Sequence, residues 1–473
     1  MKILFATSEA GPFLRTGGLG DVSAALPLAL NKQKQDVRII MPLYDAIKDT
    51  YRQTMRFLGS TTVTLGWRQQ YAGVFSCEYN DVTYYFIDNE YYFKRFGVYG
   101  HYDDGERFSF FSRAVLEILP IIDFYPDVIH CNDWQTGLIP VMLDCFYRET
   151  DGYRTIKTVM TIHNIEFQGS MDKVCISDVF GIPESHRSIV EYGNSANMLK
   201  AGIEAANVVT TVSKTYAHEI LNPFYAYGLE GILTKRSYKI SGIVNGIDTN
   251  LYNPLKDPAL FCNFSAKTVF EKKPPNKHGL QEMVNLPVAD KPLIGMVTRL
   301  TNQKGLDLIM EVLEEILNMD LQMVVLGTGD WKYEVALQEM SKRYSNKLAV
   351  IINFSKDIAS KIYGGSDMFL MPSKFEPCGL SQIIAMRYGS VPIVRETGGL
   401  KDTVPAFNPV EGTGTGFTFK TYNAYDMLDA IRRAVGTYHN KEEWNKLVTN
   451  AMGGDYSWKV SAKEYIDLYK SII

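Results

Sequence analysis

The sequence has few cysteines and no arrangement of them that points to a disulfide framework. Six cysteines are scattered over 473 residues, and no two of them form a Cys-x-x-Cys pair. Neither a zinc site nor a set of disulfides is predicted by such spacing, and reduced thiols in the cytoplasm are favoured instead. No Asp or Glu cluster has the spacing of metal ligands either, so we predict a chain that binds no metal.

Long apolar runs and an excess of basic residues are also missing. No segment approaches the roughly 18 apolar residues of a membrane span, and Met1 to Glu9 becomes polar too early for a signal peptide. The net charge of −4 gives no indication of nucleic acid or an anionic membrane as a partner. These absences predict a cytoplasmic protein whose partner is neither nucleic acid nor a membrane.

A glycine-rich loop near the start of the chain lacks both common nucleotide-binding spacings. The predicted strand Ile3–Thr7 leads into a loop with Arg15, Gly17 and Gly18, and a helix follows. The spacing is neither Gly-x-Gly-x-x-Gly nor that of a P-loop, which disfavours a dinucleotide dehydrogenase. Backbone N–H groups in such a loop can approach a phosphate, and Arg15 can pair with a diphosphate. A tight structural turn explains the glycines equally well.

What the sequence has in abundance is alternation of short apolar strands with helices in both halves. This pattern predicts an α/β fold with two doubly wound parallel sheets, one in each domain. We predict a domain boundary near residues 245–253, followed by a hinge over the polar segment 256–291, which is rich in lysine and proline. Two such domains leave a deep cleft between them, and small-molecule sites favour domain interfaces.

Polar residues follow several of the predicted strands, where ligands bind in open α/β sheets. In the first half, Asp133 follows one such strand and His163 ends the next. The tyrosine- and glycine-rich segment 91–104 is predicted to be a surface loop. It is either a mobile connection or a sugar-contacting loop, and the sequence does not distinguish the two.

In the second half, Arg299 and Lys304 lie in one strand–helix loop and could both meet a diphosphate. Two cations there would stabilise the charge that grows on a diphosphate leaving group. Glu376 follows the strand Met368–Met371, just before a helix predicted from Gly379, and either caps that helix or binds a polyol. Phe354 could stack on a base or belong to the core. Together these residues favour a transferase that uses a nucleotide-activated substrate.

The motifs occur in an order that resembles bacterial glycogen synthase and plant starch synthase. The resemblance covers almost the whole chain and rests on these segments: Arg15–Asp21, His130–Trp134, Thr161–Asn164, Val244–Asp248, Arg299–Gly305, Phe375–Leu380 and Thr397–Leu400. It implies the GT-B architecture, with residues 1–246 on the acceptor side, residues 247–457 on the donor side and helix 458–473 crossing back. It further implies retaining transfer of glucose from ADP-glucose to the non-reducing 4-OH of an α-1,4-glucan, without a cofactor or obligatory metal.

The resemblance also assigns roles to individual residues. It makes Arg299 and Lys304 the diphosphate clamp, and Glu376 the residue that binds the donor glucose. The remaining roles it implies are donor contacts from the N–H groups of Cys378, Gly379 and Leu380, a sugar contact from His163, cleft-lining positions for Asp133 and Asn245, a ribose or phosphate contact from Asp21, a place near adenine for Phe354, and an acceptor-side place for Glu9.

One position departs from the family pattern. The family's glycine loop usually begins with lysine, whereas this chain has Arg15 before Gly17 and Gly18. Because arginine and lysine differ in geometry and reach, the preference for ADP-glucose over UDP-glucose is open at this stage. Two further alternatives are an α-glucan phosphorylase, whose chain would be far longer, and a catalytically weak glucan-binding protein.

Overall fold

Two mainly parallel sheets organise the chain, one in each of two units. The computed structural model describes all residues, Met1–Ile473. The first unit comprises Met1–Asn245 together with Trp458–Ile473, and the second comprises Gly246–Ser457. None of the helices combines the length and the apolarity that crossing a membrane requires.

The first unit is built on a nine-stranded sheet and a small three-stranded one. Its strands are β1 Lys2–Ala6, β2 Asp36–Pro42, β3 Arg56–Leu65, β4 Arg68–Tyr79, β5 Val82–Asp88, β6 Val128–Asn132, β7 Lys157–Ile162, β8 Ser170–Asp172, β9 Glu191–Tyr192, β10 Ser195–Asn197, β11 Val208–Thr211 and β12 Ile240–Gly242. The large sheet has the order β12-β11-β7-β6-β1-β2-β5-β4-β3, and the small one β8-β10-β9. Only the pairs β3–β4 and β4–β5 of the large sheet are antiparallel. The chain order reverses between β1 and β6, so a ligand crevice is expected beyond the carboxyl ends of these two strands.

Helices cover the faces of this sheet. They are α1 Gly18–Lys32, α2 Asp49–Arg52, α3 Glu90–Phe93, α4 Asp104–Glu117, α5 Ile139–Met142, α6 Cys175–Asp178, α7 Arg187–Val190, α8 Met198–Ala205, α9 Lys214–Glu219, α10 Pro223–Ala226 and α11 Glu230–Lys235. The central strands β1 and β6 are almost wholly buried, as expected of parallel strands covered on both faces.

The second unit has a six-stranded, fully parallel sheet. Its strands are β13 Leu293–Val297, β14 Gln322–Leu326, β15 Leu348–Ile351, β16 Met368–Met371, β17 Val391–Arg395 and β18 Phe417–Phe419. Their order is β15-β14-β13-β16-β17-β18, so the switch point lies between β13 and β16. The helices are α12 Val269–Lys272, α13 Pro274–Met283, α14 Leu306–Asn318, α15 Trp331–Arg343, α16 Lys356–Gly365, α17 Ser381–Arg387, α18 Gly398–Thr403, α19 Ala424–His439 and α20 Lys441–Gly453. The doubly wound α/β prediction is confirmed.

The last helix, α21 Trp458–Lys470, belongs to the first unit. The amide of Gln33, at the end of α1, donates to the carbonyl of Lys459 at 3.0 Å. Further along α21, the hydroxyl of Tyr469 lies 2.7 Å from Nδ1 of His130 on β6. Burial lowers the pKa of His130 to about 3, so this histidine is a neutral core residue.

The polar segment predicted as a hinge is folded into the second unit instead. Residues 256–291 contain α12 and α13, and Pro274 opens α13, where its missing N–H costs nothing. The ammonium of the buried Lys273 donates to the carbonyls of Gly364 and Tyr388 at 2.7 and 2.8 Å. Lys277 pairs with Asp367 at 2.7 Å. Lys273 and Lys277, which are part of a polar segment in the sequence, are therefore buried and hold neighbouring elements of the second unit together.

Candidate active site

The glycine-rich loop of the first unit follows β1 and ends at the N-terminus of α1. Glu9 is buried, and its Oε2 accepts a hydrogen bond from the backbone N–H of Thr16 at 2.5 Å. Burial raises the pKa of the Glu9 carboxyl group, and the hydrogen bonds from Thr16 partly offset this. Arg15 pairs with Asp21 at 2.7 Å, with both side chains more than a third exposed. The loop thus joins one buried carboxylate to an ion pair that solvent can reach.

Gly17 and Gly18 keep the start of α1 open. A Cβ atom built on either residue would meet nothing within 4 Å. Packing within the chain therefore does not require glycine at these positions. The first N–H groups of a 15-residue helix are unpaired by the helix itself and favour an anion. The two glycines leave this helix N-terminus accessible from outside the chain.

Asp133 and His163 follow the adjacent strands β6 and β7 and are held together. Oδ1 of Asp133 accepts the backbone N–H of His163 at 2.7 Å. Asp133 has φ 55° and ψ −178°, a backbone conformation that costs a non-glycine residue about 1–3 kcal/mol. Burial raises the pKa of the Asp133 carboxyl group to about 7. Strain and a poorly solvated acid in one residue are typical of a functional position.

The His163 ring has a defined tautomer. Its Nε2 lies 2.9 Å from Oδ1 of Asn132, while the amide nitrogen of Asn132 donates to the carbonyl of Ala6. Because Oδ1 of Asn132 can only accept, Nε2 of His163 carries the proton. Burial lowers the pKa of His163 to about 4, so the ring is neutral near pH 7.

One residue that sequence reasoning did not single out, Tyr99, contacts the loop that follows β1. The hydroxyl of Tyr99 lies 2.8 Å from Oγ of Ser8, two residues after β1 ends. Burial and the nearby Glu9 raise the pKa of Tyr99. Tyr99 belongs to the tyrosine- and glycine-rich segment, whose composition was the only signal available in the sequence. Asn245 is buried at the end of the first unit's main segment, and its Oδ1 has no hydrogen-bond partner.

In the second unit, a cation and a carboxylate meet at the switch point of the sheet. Nζ of Lys304, in the loop after β13, lies 2.6 Å from Oε2 of Glu376, in the loop after β16. The hydroxyl of Ser373 donates to the same oxygen at 2.9 Å. Both charged side chains are largely buried. Glu376 therefore does not cap a helix, and α17 begins at Ser381 rather than at the predicted Gly379.

Backbone contacts fix the Glu376 loop from two sides. The N–H of Lys374 donates to the carbonyl of Gln303 at 2.8 Å, which joins it to the Lys304 loop. Gly305 has φ 78°, and a Cβ there would lie 2.2 Å from the carbonyl oxygen of Pro372. On the other side, the N–H of Gly399 donates to the carbonyl of Glu376 at 3.1 Å. Three loops are thus packed so closely that glycine is needed where they touch.

The other predicted donor-side residues are more exposed. Arg299 is exposed, and its guanidinium donates to Oε1 of Gln303 at 3.2 Å. Phe354 is 82% exposed after β15, so the alternative that it belongs to the core is wrong. Cys378 is buried, Gly379 has φ 70°, and Leu380 is half-buried directly before α17. Lys304 and Glu376 are in contact, Arg299 lies in the same loop as Lys304, and Phe354 follows a strand two positions from β13 in the sheet.

The fold and these two groups of residues define a glycosyltransferase of the GT-B class. Residues 2–235 match the family model described as "Starch synthase catalytic domain", and residues 281–451 match "Glycosyl transferases group 1". The catalytic domain of starch synthase IV from Arabidopsis thaliana, solved with ADP and acarbose, superimposes with a TM-score of 0.89 at 34% identity. That match covers 100% of this chain and 99% of the other. A sucrose-phosphate synthase at 16% identity, with a TM-score of 0.59, shares the fold alone.

The chain belongs to the glycogen synthase family of hexosyltransferases. It is 52% identical to glycogen synthase of Clostridium acetobutylicum, with 100% of both chains covered. It is 49% identical to that of Anoxybacillus flavithermus, over 100% of this chain and 98% of the other. The family predicted from the sequence motifs is therefore confirmed.

Replacement of Gly18 by alanine separates packing from ligand binding. We expect Gly18→Ala to leave the free energy of unfolding unchanged or to raise it by about 0.4–1 kcal/mol, since a helical alanine fits there. We expect its affinity for ADP, measured by calorimetry, to fall about tenfold, because the methyl group occupies the space beside the helix N-terminus.

Gly436→Ala in α19 is the matched control, since a Cβ there also meets nothing within 4 Å. It should change neither ADP affinity nor activity. Normal ADP affinity in Gly18→Ala would show that the glycines form only a structural turn.

Asp133→Asn should stabilise the fold in a pH-dependent way. In the folded chain the pKa of Asp133 is about 7, above its ordinary 3.8. Folding therefore favours the protonated acid, and the wild type loses stability as pH rises from about 4 to about 7. Asparagine does not titrate, so the advantage of the variant should grow over that range to about 2–4 kcal/mol at pH 8. Urea unfolding at a series of pH values measures it.

The control is Asp123→Asn, at an exposed residue that also has positive φ, 46°. It should show no such growth with pH. A stability difference for Asp133→Asn that stays constant from pH 4 to pH 8 would contradict the role given to burial of this acid.

Proposed function

We propose that this chain transfers glucose from ADP-glucose to the non-reducing 4-OH of an α-1,4-glucan, with retention of configuration. The observation that carries the proposal is the Lys304–Glu376 pair at the switch point of the second unit. Membership of the glycogen synthase family and the ADP-bound starch synthase relative support the same donor class.

The second unit would hold the donor. Lys304 has three N–H donors, of which Glu376 uses one, so the others are available to a diphosphate. With Arg299 it would neutralise the charge that develops on the departing diphosphate. Glu376 would accept hydrogen bonds from the glucose hydroxyls, and the N–H groups of Cys378, Gly379 and Leu380 would extend that contact.

Phe354 would bind the nucleobase. Its ring is 82% exposed and free of the core, so one face can stack on adenine. Stacking does not read the hydrogen-bonding edge of a base, so this residue supports a nucleotide without selecting ADP over UDP.

The first unit would supply the acceptor side and the remaining nucleotide contacts. Gly17, Gly18 and Arg15 would meet the diphosphate, and Asp21 the ribose or a phosphate. The Arg15–Asp21 pair is exposed, so its rearrangement on binding costs about 1 kcal/mol or less. Arginine at this position is thus compatible with the role of the family's lysine.

The residues after β6 and β7 would surround the reacting carbon. The neutral, oriented His163 would place its backbone carbonyl against the donor sugar. Asp133 and Asn245 would contact substrate, and the unpaired Oδ1 of Asn245 is available to a hydroxyl. The buried Glu9 would lie on the acceptor side.

The chemistry we propose is same-face substitution through an oxocarbenium-like state. The bond from the anomeric carbon to the diphosphate breaks, the acceptor 4-oxygen attacks from the same face, and its proton passes to the departing phosphate oxygen. A covalent intermediate on Glu376 is disfavoured, since both Lys304 and Ser373 bind its Oε2. Cytoplasmic action is part of the proposal, in agreement with six free cysteines.

Comparison of donors tests the proposal. We expect glucose transfer onto glycogen with kcat/KM clearly higher for ADP-glucose than for UDP-glucose. Preference for UDP-glucose would contradict the proposal that ADP-glucose is the donor, but it would leave the proposed location of the site unchanged. No transfer from either donor would favour a glucan-binding protein without activity.

The same assay tests the clamp. Lys304→Ala should lower kcat by about 10²-fold or more, since a preorganised cation at the leaving group is lost. Lys401→Ala, at an exposed lysine of α18, is the control and should retain wild-type activity. Equal activity of both variants would remove Lys304 from the mechanism.

A further inference from the structure

Tyr422 contacts both of the loops that carry the Lys304–Glu376 pair, although it belongs to neither. It lies three residues after β18 ends and one residue before the residue that caps α19. β18 is the edge strand of the six-stranded sheet, two positions from β16. The side chain of Tyr422 is half-buried, and no step of the proposed function uses it.

The hydroxyl of Tyr422 binds the Lys304 loop on both sides of the lysine. It donates to Oδ1 of Asp307, the second residue of α14, at 2.6 Å. It also lies 3.1 Å from the carbonyl oxygen of Asn302. Burial and the hydrogen bond to Asp307 raise the pKa of Tyr422, so the hydroxyl keeps its proton and acts as the donor. One side chain thus fixes the chain two residues before Lys304 and three residues after it.

A second tyrosine holds Asn302 from a different helix. The hydroxyl of Tyr333, the third residue of α15, donates to Oδ1 of Asn302. Tyr333 itself is buried, and the ammonium of the neighbouring Lys332 lies 3.4 Å from the same oxygen. Because Asn302 is exposed, packing does not fix its position. The polar contacts from Tyr422 and Tyr333 do so instead.

The ring of Tyr422 packs against two cations of the Glu376 loop and its neighbour. The guanidinium carbon of Arg395, at the end of β17, lies 5.5 Å from the ring centroid, and the ammonium of Lys374 lies 5.9 Å from it. Cations within about 6 Å of an aromatic face are attracted to it. Arg395 in turn donates to the carbonyl of Lys374 at 2.5 Å, two residues before Glu376. Tyr422 therefore supports this loop as well.

Lys304 needs support from outside its own loop. Its ammonium lies 2.6 Å from Oε2 of Glu376, at the end of a long side chain whose position follows the backbone. The backbone here is a single 3₁₀ turn, Asn302–Lys304, in which hydrogen-bond geometry is poorer than in an α-helix. Functional groups have to be held within about 0.5 Å of their productive places. Residues that bind this turn therefore determine how well Lys304 is placed.

We propose that Tyr422 is a positioning residue of the donor site and that Tyr333 supports it through Asn302. Tyr422 keeps the two loops at the separation at which Lys304 reaches both Glu376 and a diphosphate. It touches neither the substrate nor the reacting atoms, and it acts only through Lys304 and Glu376. The inference rests on the proposed function, which supplies a nucleoside diphosphate as the ligand of Lys304.

The test removes the two hydroxyl groups one at a time from the full chain, with Tyr422→Phe and Tyr333→Phe. Both variants keep the aromatic ring, and urea unfolding measures their stability. We expect ADP affinity, measured by calorimetry, to fall about fivefold in each, since one hydrogen bond to the Lys304 loop is lost. We expect kcat to fall about tenfold, because Lys304 is displaced from the leaving group. The KM for glycogen should not change, since these contacts lie within the second unit.

A cycle of variants distinguishes positioning from direct contact with the ligand. The background is Lys304→Met combined with Glu376→Gln, in which no buried carboxylate is left without a cation. If Tyr422 acts only through these two residues, adding Tyr422→Phe to this background should not change ADP affinity further. A further fall as large as that in the wild type would overturn the proposal, because Tyr422 would then contact ADP itself or act on the unit as a whole.

Tyr425→Phe is the matched control, at a tyrosine that is 57% exposed in the first turn of α19. It should bind ADP and transfer glucose as the wild type does. Unchanged ADP affinity and kcat in both Tyr422→Phe and Tyr333→Phe would overturn the proposal.

Failure of the proposed function gives a different result from failure of this inference. If the wild type binds ADP but transfers no glucose, and Tyr422→Phe weakens ADP binding only while Lys304 and Glu376 are present, the proposed function fails and the positioning role stands. A wild type that does not bind ADP would overturn the inference, because Lys304 would then have no diphosphate to hold.

Discussion

The ion pair between Lys304 and Glu376 is the interaction on which the arrangement of loops at the switch point of the second unit depends. A largely buried carboxylate is stable only with a cation and further donors, and here Lys304 and Ser373 supply them. The pair needs two loops that follow strands adjacent in space but distant in sequence. The close backbone contacts at Gly305 and Gly399 fix the position of the Glu376 loop relative to its two neighbouring loops. The parallel sheet, its switch point and the glycines of the loops thus together place Lys304 beside Glu376.

The first unit also contains residues whose local arrangement lowers the stability of the fold. Asp133 combines a strained backbone with a carboxyl group whose pKa is raised to about 7. Glu9 is a buried acid in the loop after β1, the strand that pairs with β6. Neither arrangement stabilises the fold, so both indicate a site in which ligand groups replace missing solvation.

Much of the fold could be predicted from local patterns. The strand Met368–Met371 has the bounds that the sequence predicts, because four apolar residues lie between Asp367 and Pro372. The polar residues at strand ends, such as Asp133 and His163, were predicted because parallel strands deliver their carboxyl ends to one edge. The family resemblance rested on many short motifs in order, and the relatives confirm it.

What the sequence did not reveal was pairing over long separations. The buried Lys273 looked like part of a polar hinge, since its acceptors at Gly364 and Tyr388 lie about a hundred residues away in the chain. Tyr99 gave no signal as a partner of Ser8, which lies 91 residues away in the chain. Hydrophobic periodicity reports which face is buried, but it does not report which polar groups satisfy each other inside.

The most direct test of the central claim is a cycle of variants at the ion pair, with unfolding by urea and ADP binding by calorimetry measured on each. Lys304→Met alone leaves a buried carboxylate unpaired and should cost about 3–5 kcal/mol of stability. Adding Glu376→Gln should recover most of that stability but not the lost ADP affinity, whereas Glu376→Gln alone should bind ADP as the wild type does. A Lys304→Met chain with normal ADP affinity, or a double variant as unstable as the single one, would contradict the account.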